Sequence, residues 1–290
     1  MTIPENSIDN FCACFIDLLG QKKALQGQNI LPKEKNCADF EKFKQSYLKS
    51  IDPIIRLQNS ASVLLRSRID EFGIKEFLTE EDVLIYEKMH AQPKQQRWSD
   101  GLVLYHSLAQ GQSECPMNAI KGIFIAAGIM CFAGLSYGEP IRGGLEVSWG
   151  VELHERELYG AIVANSYELE TKAGYPRIVI GHHAVEYLRA LSKHRSESKL
   201  DDYQIQLANS CLKLIAVDED GLFILDYLCP DFISNFDFDL MNDFYNDSIK
   251  FIDRSYEEFI VNEDTKLSER YAWLKRYFER NSTSFEKKTK

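Results

Sequence analysis

The sequence lacks an excess of positive charge. Its 290 residues include 44 aspartates and glutamates against 34 lysines and arginines, which gives a net charge of -10. Nucleic acids and anionic membrane surfaces are bound mainly through a basic face, so this composition argues against both as the main partner. A small anionic ligand remains compatible with it, bound through local basic groups or a metal ion.

Cysteine pairs with metal-site spacing are also missing. The seven cysteines are an odd number, and none of them forms a C-x-x-C pair. The N-terminus has no positively charged region followed by an apolar stretch, as a signal peptide would have. We therefore expect reduced thiols in a cytoplasmic protein, with packing roles for the three in apolar runs, Cys12, Cys14 and Cys131.

No apolar run is long enough for a comfortable membrane span. The most apolar segment, 119–135, reads AIKGIFIAAGIMCFAGL, contains Lys121 and is followed at once by SYGEP. A spanning helix needs roughly 20 apolar residues, so the sequence predicts a buried core helix here.

Strand and helix patterns alternate along the chain. The run FCACFIDLLG at 11–20 is typical of a buried strand that ends in a turn, and RWSDGLVLY at 97–105 predicts a hairpin around Asp-Gly. Apolar spacing over 39–73 predicts a long helix or two, interrupted at Pro53. The order indicates an α+β fold with a mixed or antiparallel sheet. Further elements are predicted as strands at 141–153 and 176–181, helices at 157–175 and 182–194, and a second hairpin at 211–228.

The composition changes from about Asp231. Beyond it the chain is rich in aromatic residues on an acidic background, with apolar residues at helical spacing. We expect a main domain at 1–235, with a helical insertion at about 30–93, and a C-terminal helical extension at 236–290. The extension is expected to pack on the core or on a second subunit.

Two carboxylates require an explanation. Asp17 is the single ionised residue in the apolar run 11–20, and Asp100 lies at the tip of the first predicted hairpin. If their strands are neighbours, the carboxylates meet at one edge of the sheet, which suits two hard divalent ions such as Mg²⁺ or Mn²⁺. Simpler interpretations also exist, because Asp100 is a common turn residue and Asp17 can be a helix N-terminal cap.

Five motifs in order give these carboxylates a context. They are FIDLLG before a predicted helix, WSDG on a hairpin, RGGLEVSWG, ELYGAIVANSYELE and PRIVI. In this order they resemble the catalytic domain of class III nucleotidyl cyclases, most closely the bacterial pyrimidine cyclases of Pycsar antiphage systems. The resemblance covers about residues 10–228 apart from the insertion. It implies a ferredoxin-like cyclase sheet with flanking helices.

The resemblance also implies roles for the first carboxylates and the turn beside them. Asp17 and Asp100 would bind the two divalent ions, with Leu18 as a further ligand. The turn formed by Leu18, Leu19 and Gly20 would offer backbone N–H groups to the triphosphate, as a helix N-terminus does.

A third catalytic position is implied in the RGGLEVSWG motif. Arg142 falls on an arginine that contacts phosphates in the resembling family. Without the motif, an ordinary surface ion pair is about equally expected for this residue.

The motif ELYGAIVANSYELE departs from that of the purine cyclases. Ala164 stands where they have a transition-state asparagine, and Glu168 where they have an arginine. Because a carboxylate cannot neutralise charge on the α-phosphate, either another cation, Arg97 or Arg177, takes over or the site is inactive toward triphosphates. Glu168 and Glu170 can instead be solvated helix positions, and for Glu170 we prefer that interpretation.

The positions that select the base also depart. Gln96 stands where purine cyclases have a lysine, and Glu157 where they have an aspartate. The lysine typical of adenine recognition is missing, so we expect a pyrimidine, with UTP ahead of CTP as is common in the resembling family. Trp98 and Tyr105 either narrow this pocket or pack across strands.

Together these expectations describe a cytoplasmic, homodimeric uridylate or cytidylate cyclase with active sites at the subunit interface. It would make cUMP or cCMP and pyrophosphate as a second messenger in antiphage defence, sensed by a separate effector protein. Two alternatives stay open. One is an inactive cyclase-like protein that binds nucleotide and regulates a partner, and the other is a protein–protein interaction module built around the acidic aromatic C-terminal segment.

Overall fold

The fold is α+β, as the sequence predicts, with one eight-stranded mixed sheet. The computed structural model describes residues 8–21, 31, 33, 35, 37–66, 92–109, 115–154 and 157–285. The strands are β1 (Ile8–Leu18), β2 (Lys94–Trp98), β3 (Gly101–Ser107), β4 (Ile141–His154), β5 (Glu157–Tyr159), β6 (Ile178–Ile180), β7 (Ile215–Val217) and β8 (Phe223–Leu225). The helices are α1 (Ala38–Arg66), α2 (Pro116–Ser136), α3 (Ala161–Ala173), α4 (His182–Ser192), α5 (Lys199–Lys213), α6 (Pro230–Ile233), α7 (Phe238–Val261) and α8 (Thr265–Arg280).

The sheet is built around β1. Its strand order is β2-β3-β1-β4-β6-β8-β7, with β5 paired to β4. The pairing of β4 with β6 is parallel, and the other pairings are antiparallel. Both predicted hairpins are present, as β2–β3 and β7–β8. Because β1 pairs with β3 on one side and β4 on the other, Asp17 lies opposite both Gly101 and Arg142.

The two faces of the sheet are covered unequally. Alternation along β1 sends Cys12, Cys14 and Ile16 into the large core, which contains residues of α1, α2, α4, α5, α7 and α8. On the opposite face, Phe11 and Phe15 form a small second core with residues of β3, β5 and α3. We call this second side the α3 face. Asp17 lies on it, two residues beyond Phe15.

The core helix predicted at 119–135 is α2. Among the described residues it is the one helix long and apolar enough to cross a membrane, and 78% of its most apolar window is buried inside the protein. All seven cysteines are free, and Cys12, Cys14 and Cys131 are fully buried in the core, as expected for packing residues.

Two predicted helices have different bounds in the structure. The helix predicted over 39–73 runs unbroken from Ala38 to Arg66 and continues past Pro53, while 67–73 lie outside the described residues. Leu57 and Ala61, after the proline, are buried in the main core, which favours continuing the helix. The helix predicted at 157–175 begins only at Ala161, because β5 and Gly160, with φ of +126°, precede it.

Sequence patterns missed one helix. The segment 199–213 is α5, whose cap residue Ser198 accepts a hydrogen bond from the N–H of Asp201 (3.1 Å). The first arm predicted for the second hairpin therefore belongs in part to a helix, and β7 begins only at Ile215.

The C-terminal helices α7 and α8 pack on the core. The ring of Phe132 on α2 contacts Phe244 of α7, Phe278 of α8 and Phe285 beyond α8, with centroids 5.8, 6.2 and 6.1 Å away. The extension therefore shares one hydrophobic core with the rest of the chain.

Candidate functional site

A cavity of about 810 Å³ opens on the α3 face. Its walls come from the end of β1, the β2–β3 turn, β4, β5 and α3. Asp17, Asp100 and Arg142 all line it, so three predicted site residues from three separate parts of the chain meet in one place.

The absence of a side chain at Gly101 leaves space for the Asp17 carboxylate between closely spaced strands. A Cβ atom on Gly101, its partner in β3, would come within 2.5 Å of the Ile16 carbonyl oxygen and 3.5 Å of Asp17 Oδ1. The next residue back, Asp100, lies in the tight turn after Ser99, whose φ of +46° is unusual for a residue other than glycine. The Asp-Gly turn thus brings the second carboxylate beside the first.

The electrostatic environment of Asp17 is short of positive charge. The pKa of this carboxyl is raised to about 6, first by burial and then by the carboxylates of Asp100 and Glu170, while Arg142 and the N–H of Leu18 act to lower it. A carboxylate that is costly to ionise in the apoprotein is stabilised when a cation binds beside it. The excess of negative charge around Asp17 is compatible with a bound cation.

Protein ligands for such cations are few. Among the described residues there is no group of three or more His, Cys, Asp or Glu side chains that could hold a metal ion. Asp17 and Asp100 line the cavity, and Asp100 forms no ion pair with a cation within the described part of the chain. The third carboxylate of the lining, Glu170, is paired with Arg142, so Mg²⁺ or Mn²⁺ would need carbonyl, water or phosphate oxygens as well. Leu18 remains a predicted ligand, with its side chain turned into the main core.

Arg142 links two carboxylates at the floor of the cavity. Its Nη2 lies 3.7 Å from Asp17 Oδ2, and its Nε forms an ion pair with Glu170 Oε1. Glu170 is only 1% exposed, so the prediction that it is a solvated helix position is wrong. The sequence contains a usable signal, since Ala164, Tyr167 and Glu170 recur at three-residue spacing on α3 and all line the cavity.

Glu168 lies outside the cavity. Its side chain is 66% exposed and forms an ion pair with Lys172 one turn along α3 (2.7 Å). It is a solvated helix position, and the carboxylate that stands where purine cyclases have an arginine does not face the site. Ala164, by contrast, lines the cavity and offers it a methyl group in place of an amide.

Neither of the substitute cations suggested by the sequence lines the cavity. The Arg177 side chain is 3% exposed and held by Asp218 (2.7 Å) and Asp220 (2.5 Å), so it is a buried structural residue. Arg97 is exposed, and alternation along β2 places it on the opposite face from Trp98, which does line the cavity. Of the described lining residues, Arg142 alone carries a positive charge.

The turn after β1 has fewer backbone N–H groups available to bind phosphate than the sequence predicts. The N–H of Leu19 donates to the carbonyl oxygen of Pro140 (2.9 Å), so it is used within the protein, and we do not carry Leu19 forward as a phosphate ligand. Leu18 directs its N–H toward the Asp17 carboxylate. Gly20 has φ of +91°, which suits a tight turn, and the predicted helix that follows lies outside the described residues.

Gln96 and Glu157 lie near each other but do not line this cavity. Gln96 Oε1 accepts a hydrogen bond from the N–H of Leu158 (2.9 Å), which ties β2 to β5, and Glu157 is exposed beside it. Of the two aromatic candidates, Trp98 lines the cavity, whereas Tyr105 is buried and donates to Glu152 (2.9 Å). Their roles in base selection stay predictions.

Aromatic side chains form much of the cavity wall. Phe15 contacts the rings of Trp98 and Tyr167, with centroids 5.7 and 5.3 Å away, and Trp149 and Tyr159 complete the wall. Except for Phe15, these aromatic residues are at least 44% exposed. The sequence analysis missed Tyr167, Trp149 and Tyr159, because strand and helix patterns alone do not reveal which exposed aromatic residues converge.

Comparisons with protein-family models and with curated proteins found no significant match to the chain.

Proposed function

We propose that the protein is a pyrimidine nucleotide cyclase that converts UTP or CTP to the 3′,5′-cyclic nucleotide and pyrophosphate. One observation carries the proposal. Asp17 and Asp100, which lie 83 residues apart in the sequence, line the same cavity. Arg142 lines it too, close to the Asp17 carboxylate. Two carboxylates and one arginine are what two divalent ions and a triphosphate require from the protein.

The sheet topology supports a ferredoxin-like cyclase fold. Within the order β2-β3-β1-β4 all pairs are antiparallel, while α1 lies between β1 and β2 in the chain and α2 between β3 and β4. With α1 counted, although it lies in the segment expected to be an insertion, this is the β-α-β-β-α-β order of ferredoxin-like domains.

In the proposed reaction the ribose 3′-oxygen attacks the α-phosphorus, the bond from this phosphorus to the bridging oxygen breaks so that pyrophosphate leaves, and the 3′-hydroxyl proton passes to solvent water. Asp17 and Asp100 would hold two Mg²⁺ or Mn²⁺ ions, which when bound would lower the pKa of the hydroxyl and stabilise charge on the phosphates. Arg142 would orient the phosphates. No side-chain nucleophile is needed.

The dimer and the base preference are the finer parts of the proposal. Gln96 and Glu157 of one subunit would face the metal site of the other and would favour a pyrimidine, while the order of UTP ahead of CTP rests on the resembling family alone. Exposed aromatic residues around the cavity, including Trp149 and Tyr159, support a contact surface there, since aromatic residues are enriched at interfaces. By resemblance, the cyclic nucleotide would be an antiphage signal in the cytoplasm, sensed by a separate effector.

An inactive nucleotide-binding regulator is the second candidate. It is favoured by Ala164, which replaces the transition-state asparagine, and by the placement of Arg97 and Arg177 away from the cavity. The third candidate, an interaction module formed by the C-terminal segment, has less support. The aromatic residues it would need, such as Tyr245, Tyr271 and Phe278, are buried in the core.

The metal ligands give the direct test. Purified protein is incubated with each NTP and Mn²⁺, and pyrophosphate release is measured for wild type, Asp17→Ala and Asp100→Ala. Loss of one ligand removes positioning and charge neutralisation together, so we expect a fall on the order of 10³-fold or more. Asp52→Asn, at an exposed position of α1, is the control and should keep the wild-type rate.

The outcomes separate the three candidates. Near-normal turnover in either carboxylate variant contradicts the assignment. Tight NTP binding without turnover, lost in Asp17→Ala, identifies the regulator, and absence of NTP binding in the wild type leaves the interaction module.

A further inference from the structure

Glu170 is a buried carboxylate in a helix that otherwise presents its acidic residues to solvent. It is 1% exposed, whereas Glu168, two residues earlier, has a side chain that is 66% exposed. Ionised side chains are rarely buried without a partner, because removing a charge from water is costly. The partner of Glu170 therefore bears on what this residue does.

That partner is Arg142 on β4. Its Nε pairs with Glu170 Oε1, and Thr171 donates to the other carboxylate oxygen (3.3 Å). Arg142 Nη2 lies 3.7 Å from Asp17 Oδ2. The Glu170 carboxylate therefore lies against the Nε edge of the guanidinium as an ion pair, in which Nε and Oε1 do not meet hydrogen-bond geometry.

The backbone is shaped to permit this pairing. Gly144 lies two residues beyond Arg142, on the same face of β4. A Cβ atom there would come within 2.5 Å of the backbone N of Glu170 and would also collide with the carbonyl oxygen of Ser166. Glycine at 144 lets α3 approach β4 closely enough for Glu170 to reach the arginine.

An arginine guanidinium offers five N–H donors in a rigid planar fork. With the Glu170 carboxylate at its Nε edge, the guanidinium keeps Nη2 on the side of Asp17 and the cavity. In a cavity where Arg142 is the single cation among the described lining residues, its orientation matters.

We propose that Glu170 is the positioning residue for Arg142, holding the guanidinium by its Nε edge so that its Nη groups face the phosphates of the nucleotide. The inference rests on the proposed function only where it names phosphate as the ligand. The contact between Glu170 and Arg142 is independent of the proposed function.

The anchoring is tested first in the protein without ligand. Arginine Nε–H signals are followed by ¹H–¹⁵N NMR, and Arg142 is assigned from its loss in Arg142→Gln. Because Nε is buried against the Glu170 carboxylate, we expect its N–H to exchange slowly with solvent in the wild type and in Glu168→Gln, and at least about tenfold faster in Glu170→Gln, where the ion pair is lost. Glu168→Gln is the matched control, because it removes the same group from the same helix.

Phosphate positioning is tested by a double-mutant cycle. The Kd of 3′-deoxy-UTP with Mn²⁺, which cannot be cyclised, is measured by calorimetry for Glu170→Gln, Arg142→Gln and the double variant. If Glu170 acts through Arg142, Glu170→Gln weakens binding about tenfold and adds no further loss in the Arg142→Gln background. With UTP, the change appears in KM more than in kcat.

The results distinguish the inference from the proposed function. If no variant, wild type included, binds the analogue, the proposed function fails and the anchoring stands or falls on the exchange rates alone. If Glu170→Gln leaves both the Nε–H exchange and the Kd at wild-type values, or if its effect on Kd adds fully to that of Arg142→Gln, the inference is overturned.

Discussion

At the scale of single residues, the site places an acidic group where it costs stability. Asp17 is partly buried near Asp100 and Glu170, and Arg142, its cationic neighbour among the described residues, is shared with Glu170. Arrangements that destabilise the apoprotein while gathering like charges are typical of functional sites.

The stability cost of Asp17 has a predictable pH dependence. Folding raises the pKa of its carboxyl from 3.8 to about 6. The folded state therefore binds this proton more tightly than the unfolded state, so the contribution of Asp17 to stability is greatest below pH 4 and is lost as pH rises through 6. Asp17→Asn removes that loss and should raise the free energy of unfolding at pH 7.5 by about 1–2 kcal/mol, since solvent screens this partly exposed group.

The measurement is denaturant unfolding in metal-free buffer at pH 4 and pH 7.5. The gain should be present at pH 7.5 and largely absent at pH 4, and Asp52→Asn, an exposed aspartate of α1, should show neither. A stability loss at pH 7.5 would mean that Asp17 is held by favourable partners and is a structural residue.

At the scale of elements, the approach of α3 to β4 determines the cavity. Gly144 permits it, and α3 then supplies Ala164, Tyr167 and Glu170 to one wall. The position of this single helix therefore sets both the shape of the cavity and the contact to Arg142.

Gly144→Ala tests that dependence. The added methyl group would meet the backbone of Ser166 and Glu170, which cannot move without shifting α3. We expect a loss of about 1–3 kcal/mol in unfolding free energy, as for overpacking, together with a raised KM for the nucleotide.

Gly221→Ala provides the comparison. Gly221 has φ of +81°, and a Cβ atom added there would meet no other atom within 4 Å, so its substitution costs only backbone strain, about 1 kcal/mol, with no change in KM. Equal KM values for the Gly144 variant and the wild type would show that α3 does not position the site.

Elements were predictable from the sequence where the pattern is local. The strand at 11–20, both hairpins and α2 follow from apolar runs and Asp-Gly turns. The helix α5 was missed, and the continuation of α1 past Pro53 was not foreseen, because the packing of Leu57 and Ala61 outweighs the local effect of proline.

The site was predictable only in part for the same reason. Asp17 and Asp100 stand out as carboxylates at strand ends, and the structure brings them to one cavity. Two other features depend on contacts between distant segments, which local spacing does not reveal. Glu170 pairs with Arg142, and Arg177 forms ion pairs with Asp218 and Asp220.

At the scale of the whole molecule, the C-terminal helices stabilise the domain that carries the cavity. Their aromatic residues share a core with α2, and Arg280 reaches Asp218 (3.3 Å) in the β7–β8 turn. The cavity lies on the opposite side of the sheet, on the α3 face, which leaves its exposed aromatic rim available to a second subunit.

The proposed dimer predicts complementation. If metals are held by Asp17 of one subunit and the base by Glu157 of the other, a mixed dimer of Asp17→Ala and Glu157→Ala subunits contains one intact site. Mixing the two variants after mild dissociation should therefore restore roughly a quarter of the wild-type rate, the statistical share for a twofold dimer. A mixture no more active than its components would contradict this dimer geometry and leave the metal site untouched.

The central claim is that this cavity cyclises pyrimidine nucleotides, and a product scan tests it most directly. The wild-type protein is incubated separately with ATP, GTP, CTP and UTP in Mn²⁺, and 3′,5′-cyclic products are identified by mass spectrometry, with Asp100→Ala as the blank. The account predicts cUMP as the main product, cCMP behind it, and none from the Asp100 variant. Cyclic AMP or GMP without a pyrimidine product, or no cyclic nucleotide from any of the four, would contradict it.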